Sequence, residues 1–223
     1  MTLNGDRVRV PLEVWRLLRE CDGVIWDFDG VVADTEPTQG ESFRLMLERL
    51  GVQPVGDFFR GYVGRSEREI WEDLSAEHRL RSTLDELATA RSKIYLELAT
   101  STLAPAFYVS PMLDEADELG VANFVVSSGS YRNIWNLLQT WKLGQRFAAI
   151  YCAGSPESSA LHTKKERLSS VLARHRCPLV VEDSADYLRL ASSLGARTIG
   201  IQHSLNDLSQ VSADLVIKVP SQY

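Results

Sequence analysis

The chain has 223 residues, of which 44% are hydrophobic and 24% are charged, and its formal net charge is −6 at pH 7. This length suits one core domain, with or without a smaller insert, and the hydrophobic content is sufficient for a packed core. The acidic balance argues against nucleic acid or a membrane surface as a partner, because both favour a basic face. No apolar run in the sequence approaches the roughly 20 residues that a membrane-spanning helix needs.

The first residues of the chain and its cysteines favour a cytoplasmic protein. The opening stretch MTLNGDRVRVPLEVWRLLRE carries charges throughout and lacks the apolar centre of a signal peptide. It is expected to form an amphipathic helix that covers the core. Cys21, Cys152 and Cys177 are far apart in the sequence and show no C-x-x-C spacing, which is typical of reduced thiols rather than disulfides or a zinc site.

Short apolar runs alternate with segments of helical periodicity along most of the chain. Several of these runs are apolar on both faces, as in parallel strands that helices cover on each side. The helical segments between them end at glycines such as Gly144 and Gly195. The pattern predicts an α/β fold with a Rossmann-like parallel sheet and right-handed crossovers. The expected strands are Val24–Phe28, Asn123–Ser127, Ala148–Cys152, Leu179–Glu182, Thr198–Ile201 and Leu215–Val219.

One long segment after the first strand shows only helical patterns. It contains an apolar stripe that stops at Gly51, a capping box from Ser66 to Glu69, and a longer helix around Ile94. The segment far exceeds a normal strand-to-helix loop, so an all-helical insert is expected. The predicted domains are an α/β core of residues 1–33 and 111–223 and a helical cap of residues 34–110.

The stretch GVIWDFDGVVADTE, from Gly23 to Glu36, places two aspartates at the end of an apolar strand. Burial of a carboxylate without a partner costs several kcal/mol, so Asp27 and Asp29 need an explanation. One alternative is a β-hairpin, because Asp29-Gly30 fits a type I′ turn between two paired strands. The other is a ligand site, because open α/β sheets bind ligands at the carboxyl ends of their strands.

Polar side chains also follow other predicted strands of the sheet. Ser127 and Ser128 end the second strand, Glu182 and Asp183 end the fourth, and Lys164 and Lys165 open the helix before the fourth. Taken one at a time, these residues have ordinary structural explanations as loop serines, helix caps or solvated lysines. Their convergence on one edge of the sheet favours a shared chemical role.

Phosphoryl transfer is a chemistry that needs this set of groups. Asp27, Glu182 and Asp183 offer the hard oxygen ligands that suit Mg²⁺. An aspartate can attack phosphorus, and a carboxylate two residues further along the strand can act as general acid and base. A serine hydroxyl, backbone N–H groups and a lysine can stabilise charge on the transferred group.

These motifs, in this order, resemble those of the haloacid dehalogenase superfamily of phosphotransferases. WDFDGVVADTE looks like the first motif, VVSSG the second, TKKERLSSVL the third and VVEDSADYLRLASSLGARTIGI the fourth. The helical insert resembles the cap of the phosphoglycolate-phosphatase and β-phosphoglucomutase branch. The resemblance implies a Mg²⁺-dependent phosphatase, a phosphoric monoester hydrolase, that acts on a small phosphorylated metabolite through an aspartyl-phosphate.

The resemblance also implies a role for each matching residue. Asp27 would be the nucleophile and Asp29 the general acid and base, with the backbone carbonyl of Asp29 also facing the metal. The other catalytic residues would be Ser127 and Lys164, the other metal ligands Glu182 and Asp183, and the residues next to the substrate phosphate Ser128 and Gly129. The third motif departs from the usual Gly-Lys-Pro, and Lys164 is preferred over Lys165 because apolar residues follow it at helical spacing.

Other activities fit parts of the pattern. A phosphosugar mutase of the same fold is the nearest alternative, and it would return the phosphoryl group to a sugar instead of to water. A dehalogenase is disfavoured, because Asp29 suits protonation of a leaving alkoxide. A receiver domain carries its acidic pair on the first strand and has no helical insert. A non-catalytic phosphate-binding protein is expected to lack Asp27 or Asp29, and both are present.

The helical insert is expected to close over the site as a lid. It leaves the core at Asp34, close in sequence to the aspartates, and returns near Ser110, before the serines of the second strand. Closure would exclude bulk water and strengthen the electrostatic interactions of the site. Arg65, beside a turn predicted at Gly64, is the candidate to bind the rest of the substrate, and the alternative is a solvated helix face.

Overall fold

The computed structural model describes residues 10–63 and 65–219. The chain divides into two compact units, which are termed here the core unit (Met1–Ala33 and Pro105–Tyr223) and the helical unit (Asp34–Ala104). The turn predicted at Gly64 and the first part of the helix predicted at the start of the chain lie outside the described residues. The described helices include none that is long and apolar enough to cross a membrane.

The described residues of the core unit form one six-stranded parallel sheet. Its strands are β1 (Gly23–Trp26), β2 (Ala122–Ser130), β3 (Ala149–Ala153), β4 (Pro178–Glu182), β5 (Arg197–Gln202) and β6 (Leu215–Lys218), in the spatial order β3-β2-β1-β4-β5-β6. Each predicted strand is present, and the predicted α/β fold class is confirmed. The hairpin alternative at Asp29-Gly30 is wrong, because β1 lies between two parallel neighbours, β2 and β4.

The α-helices follow the apolar stripes seen in the sequence. In the part of the chain that the structure describes they are α1 (Leu12–Glu20), α2 (Glu36–Arg49), α3 (Glu67–His78), α4 (Leu84–Thr102), α5 (Val109–Leu119), α6 (Tyr131–Thr140), α7 (Lys164–Leu172) and α8 (Ala185–Ser193). Helices α7 and α8 cover one face of the sheet, where Leu168 and Ala191 pack against Ile25, Val126 and Val180. Because crossover helices run antiparallel to the strands, α7 begins at the carboxyl edge of the sheet with Lys164.

The helical unit has its own apolar core. It contains α2, α3, α4 and a short 3₁₀-helix at Phe58–Tyr62, and its buried cluster includes Phe43, Leu47 and Trp71. The predicted capping box is confirmed: the Ser66 hydroxyl accepts from the backbone N–H of Glu69, and the Glu69 carboxylate accepts from the backbone N–H of Ser66.

The helical unit ends earlier than residue 110. Ala106 donates its backbone N–H to the carbonyl of Val32 at 2.8 Å, and the Tyr108 hydroxyl donates to the carbonyl of Val31. These bonds tie the segment after Ala104 to the loop that follows β1. The boundary therefore lies at residues 104–105, and the segment just before α5 belongs to the core unit.

Candidate active site

The strand order places the acidic residues at the topological switch point of the sheet. In the order β3-β2-β1-β4-β5-β6, the chain runs outwards on one side of β1 and then returns to add β4 on its other side. Open α/β sheets bind their ligands at the carboxyl ends of the strands at this point. Asp27 follows β1 directly, and Glu182 ends β4. The two carboxylates are therefore neighbours, although they are far apart in sequence.

A buried ammonium group lies between these two carboxylates. The Nζ atom of Lys164 is 2.7 Å from Oδ2 of Asp27 and 2.8 Å from Oε2 of Glu182. All three residues are buried, with 7% of Asp27, 7% of Lys164 and 2% of Glu182 exposed. The ring of Tyr187 covers the ammonium at 4.4 Å from its centroid. Lys165, the alternative in the sequence, is exposed.

The protonation of this group follows from burial and from the imbalance of charge. Burial raises the pKa of the Asp27 carboxyl to about 6; the Lys164 ammonium opposes this rise, and Asp183 and Asp29 add to it. Burial and repulsion from Asp27 raise the pKa of Glu182 well above its ordinary value. Burial by itself would lower the pKa of Lys164, but the attraction of Asp27 and Glu182 outweighs it and raises that pKa. The ammonium is therefore charged at neutral pH.

Three carboxylates form a cluster that fits a metal ion. Among the described residues, Asp27, Glu182 and Asp183 each offer an oxygen, and these atoms lie within 4.8 Å of one another. The donor set consists of the hard oxygen ligands that Mg²⁺ prefers, and its negative charge exceeds that of the one ammonium beside it. The side chain of Asp29 does not belong to the cluster. Its predicted contribution through a backbone carbonyl stays a prediction.

Asp183 is held by the loop that follows β5. The Nδ1 atom of His203 accepts from the backbone N–H of Leu205 at 3.2 Å, so the ring proton is on Nε2. That Nε2–H donates to Oδ2 of Asp183 at 2.8 Å. The side-chain amide of Asn206 donates to the backbone carbonyl of Asp183 at 2.7 Å. The explanation of Asp183 as a helix cap is wrong, since the N-cap of α8 is Ser184.

Gly30, which follows Asp29 in the first motif, has a steric role. Gly30 has a φ of +75°, and a Cβ atom there would lie 2.4 Å from Oδ2 of Asp183. A side chain would thus strain the backbone and displace the carboxylate. The Asp29-Gly30 pair, which the sequence also allowed as a hairpin turn, lets the loop after β1 pass close to the carboxylate that follows β4.

Asp29 and Ser127 form a second group beside the cluster. The Ser127 hydroxyl accepts from the backbone N–H of Gly129 at 2.9 Å and donates to Oδ2 of Asp29 at a longer distance of 3.4 Å. Ser127 is fully buried, and Ser128 is exposed. A Cβ atom at Gly129 would approach the Asp29 carboxylate to 3.3 Å, so the bend at the end of β2 is tight.

Arg65 lies in the helical unit. Its guanidinium donates to Oδ2 of Asp73 at 2.8 Å and lies over the ring of Tyr62 at 5.2 Å from the centroid. Arg65 and Asp73 are both partly exposed. Its predicted role in binding substrate stays a prediction.

Further residues, not predicted from the sequence, hold the predicted ones. His203 and Asn206 follow the end of β5, which is a carboxyl strand end like the others, so their position in the sequence carries the same signal. Tyr187 and Arg167 gave no such signal. Each occupies one position of an amphipathic helix, and its contacts come from packing of that helix.

The strand order and the acidic cluster define an α/β enzyme with its chemistry at the carboxyl ends of the central strands. Residues 24–201 match the model of the haloacid dehalogenase-like hydrolases, and the chain belongs to this family. The predicted superfamily and its phosphatase and phosphomutase branch are confirmed. The prediction of an enzyme of the phosphatase type is also confirmed.

Named relatives match most of the chain. The phosphorylated carbohydrates phosphatase of Thermotoga maritima is 26% identical over 196 residues, which cover 83% of this chain and 88% of that protein. The plasmid protein CbbY of Cupriavidus necator is 26% identical over 200 residues, which cover 79% of this chain and 76% of that protein. The structure of CbbY from Rhodobacter sphaeroides in complex with phosphate has a TM-score of 0.70 at 18% identity, covering 88% of this chain and 93% of that one.

Proposed function

We propose that this protein is a Mg²⁺-dependent phosphatase that hydrolyses a small phosphorylated carbohydrate through an aspartyl-phosphate. The observation that carries the proposal is the Lys164 ammonium between Asp27 and Glu182, next to the oxygen cluster completed by Asp183. The substrate class is supported by the relative from Thermotoga maritima, a phosphatase of phosphorylated carbohydrates.

Asp27 is the proposed nucleophile. Its Oδ1 accepts from the backbone N–H of Phe28 at 2.7 Å and its Oδ2 accepts from Lys164, so the carboxylate is held in one orientation. A carboxylate oxygen attacks phosphorus, a new O–P bond forms, and the bond to the leaving sugar oxygen breaks. Mg²⁺, when bound by Asp27, Glu182 and Asp183, would offset negative charge on the phosphate oxygens.

Asp29 is the proposed general acid and base. It is two residues from the nucleophile and, unlike Asp27, lies next to the Ser127 hydroxyl outside the buried ion cluster. In the first step it gives its proton to the leaving alkoxide. In the second step it takes a proton from water, which attacks phosphorus and returns Asp27 to its carboxylate form with release of phosphate.

Three further groups are proposed to bind the transferred phosphoryl group. The Ser127 hydroxyl and the Lys164 ammonium can each donate to its oxygens, and the backbone N–H of Ser128 is the third proposed donor, at the tight bend where the N–H of Gly129 already donates to Ser127. Such donors are fixed before the reaction by the strand and helix that carry them. They stabilise charge without reorganisation during the step.

The helical unit is proposed to select the substrate. The chain enters this unit at Asp34, shortly after Asp29, and leaves it at Ala104, before β2. Residues in a segment connected in this way can be changed without altering the strands that carry the catalytic groups. Arg65 is the proposed contact for a distal phosphate or carboxylate, for which it would exchange its bond to Asp73.

The test is phosphate release by the purified protein from a panel of sugar phosphates, measured with Mg²⁺ and after chelation. The proposal predicts Mg²⁺-dependent release that Asp27→Asn abolishes. Phosphorus NMR of the same reactions separates hydrolysis from the mutase alternative, which would give an isomeric sugar phosphate instead of free phosphate. The mutase is not favoured, because the relatives matched over most of the chain include a phosphatase. Absence of release from every substrate would reject the proposal.

A further inference from the structure

Helix α7 buries a second cation behind the candidate site. Arg167 is one turn after Lys164 and is only 5% exposed. One arm of its guanidinium donates to the backbone carbonyl of Ser127 at 3.2 Å, and the other arm donates to the backbone carbonyl of His162 at 3.2 Å. Its buried Nε has no hydrogen-bond partner among the described residues.

Among the described residues, the guanidinium of Arg167 has no carboxylate as its partner. Its contacts with the described residues are two neutral carbonyls, and none of the described carboxylates forms an ion pair with it. A buried guanidinium is normally paired with an anion, because removal of the charge from water is costly. A structural tie between α7 and β2 needs no permanent charge. The position of the charge therefore requires a reason beyond packing.

Ser127 connects Arg167 with the groups of the anion site proposed above. The Ser127 carbonyl binds Arg167, and its hydroxyl lies next to Asp29. Arg167 and the proposed general acid and base therefore contact the same buried residue.

The charge balance of the site favours a second cation. When Mg²⁺ is bound as proposed, its charge and that of the Lys164 ammonium together match the three carboxylates of Asp27, Glu182 and Asp183. A phosphate group that enters this set adds further negative charge. A guanidinium in a water-poor position would offset part of that repulsion over several ångströms, because screening there is weak.

We propose that Arg167 is a positioning residue for the transferred phosphoryl group. The two hydrogen bonds of its guanidinium fix the end of β2 and so orient the Ser127 hydroxyl. Its positive charge stabilises the phosphate anion across the buried end of that strand. The inference rests on the proposed function and gives a role to a residue of the third-motif segment for which the family resemblance implied none. Lys164 and Arg167 then serve one anion from one helix, the first by direct contact and the second through Ser127.

The test compares Arg167→Met, Arg167→Lys and the matched control Arg174→Met. Arg174 lies just after the same helix, where it donates to the hydroxyl of Tyr151 at 2.7 Å. The readouts are the Kd for inorganic phosphate by calorimetry in the presence of Mg²⁺, the separate values of kcat and KM, and the thermal midpoint. Arg167→Met should weaken phosphate binding about tenfold or more, and Arg174→Met should leave it unchanged.

Arg167→Lys separates the effect of the positive charge from the effect of the two guanidinium hydrogen bonds. It should restore most of the phosphate affinity, because the charge remains, and still show a reduced kcat, because lysine cannot bind two carbonyls in one plane. Unchanged phosphate affinity in folded Arg167→Met, or in Arg167→Gln if the methionine variant does not fold, would overturn the proposal, even if the thermal midpoint falls. Failure of the proposed function is distinguishable, since the unsubstituted protein would then release no phosphate.

Discussion

Each unit of the molecule buries a cation that pairs with carboxylate, Arg91 in the helical unit and Lys164 in the core unit, and these two differ in their charge balance. In the helical unit, Arg91 is 3% exposed; its guanidinium donates to Glu67 at 2.6 Å and to Gln39 and Ser42 at 2.8 Å, and it lies 4.2 Å from the ring centroid of Phe43. One positive charge faces one carboxylate, and neutral acceptors satisfy the rest.

In the core unit, one ammonium faces more than one carboxylate. Lys164 contacts Asp27 and Glu182, with Asp183 in the same cluster. This arrangement is unfavourable for the folded protein by itself, because burial and mutual repulsion raise the carboxyl pKa values. The balanced cluster contributes to stability, whereas the excess negative charge of the unbalanced cluster fits the Mg²⁺ ion that we propose it binds. The following changes test this contrast.

Asp27→Asn should have the largest effect. An amide cannot attack phosphorus, so kcat should fall by about 10⁴-fold or more. The fold should persist, because Lys164 keeps Glu182 as its partner and the cluster loses an excess charge. Steady-state kinetics and circular dichroism check both parts. Substantial turnover by a well-folded variant would remove Asp27 from the role of nucleophile.

Asp29→Asn should have a smaller effect that depends on the leaving group. Loss of a general acid and base costs roughly 10²–10⁴-fold in rate. In single-turnover phosphorylation, an aryl phosphate should lose less than an alkyl phosphate, because an aryl oxide leaves without protonation. Equal losses for both substrates would argue for a purely structural role of Asp29.

Arg91→Met should lower the stability of the protein and leave the catalytic step unchanged, which is the reverse of the effect expected for Asp27→Asn. Its removal takes the charged partner from Glu67, which keeps the indole N–H of Trp71, and one donor from the buried Ser42, so the free energy of unfolding should fall by about 2 kcal/mol. The partial exposure of Glu67 keeps the loss below that of a fully buried pair. Phosphorylation of Asp27 by a small aryl phosphate, measured well below the thermal midpoint, should be unchanged. Urea unfolding gives the first quantity and single-turnover kinetics gives the second.

His203→Ala should lower the affinity for Mg²⁺, although it replaces none of the proposed metal ligands. The hydrogen bond to Asp183 orients that carboxylate, and loss of such a bond costs roughly 10–100-fold in metal affinity. Calorimetric titration with Mg²⁺ measures the change, His203→Gln should restore part of it, and His78→Ala in the helical unit is the matched control. An unchanged Mg²⁺ affinity would argue against Asp183 as a metal ligand.

Arg65→Ala should have the smallest effect. Its ion pair with Asp73 is exposed to solvent and contributes little to stability, so the thermal midpoint should barely move. If Arg65 contacts the substrate, KM for the preferred sugar phosphate should rise severalfold, whereas KM for a small aryl phosphate should not change. A parallel change for the two substrates, or none, would leave Arg65 as part of a solvated face.

The amino-acid sequence by itself determined the elements and the chemistry they carry. Runs such as Val24–Trp26 are apolar on both faces, and this local property predicts a buried parallel strand wherever the chain goes. The spacing of Asp27 and Asp29 and the capping box at Ser66 are likewise local. The end of the helical insert was missed, because the bonds of Ala106 and Tyr108 to the loop after β1 leave no periodic signal.

Only the tertiary structure decided which of these residues meet. The return of the chain from β3 to add β4 beside β1 brings Glu182 to Asp27. The packing of α7 places Lys164 at the ends of β1 and β4 and Arg167 at β2, all on the carboxyl edge of the sheet. The loop after β5 supplies His203 to Asp183 in the same way. Side-chain periodicity reports only whether a residue faces the core. The contacts between residues distant in sequence depend on strand order and helix packing. The same local pattern is compatible with many strand orders, so it does not predict these contacts.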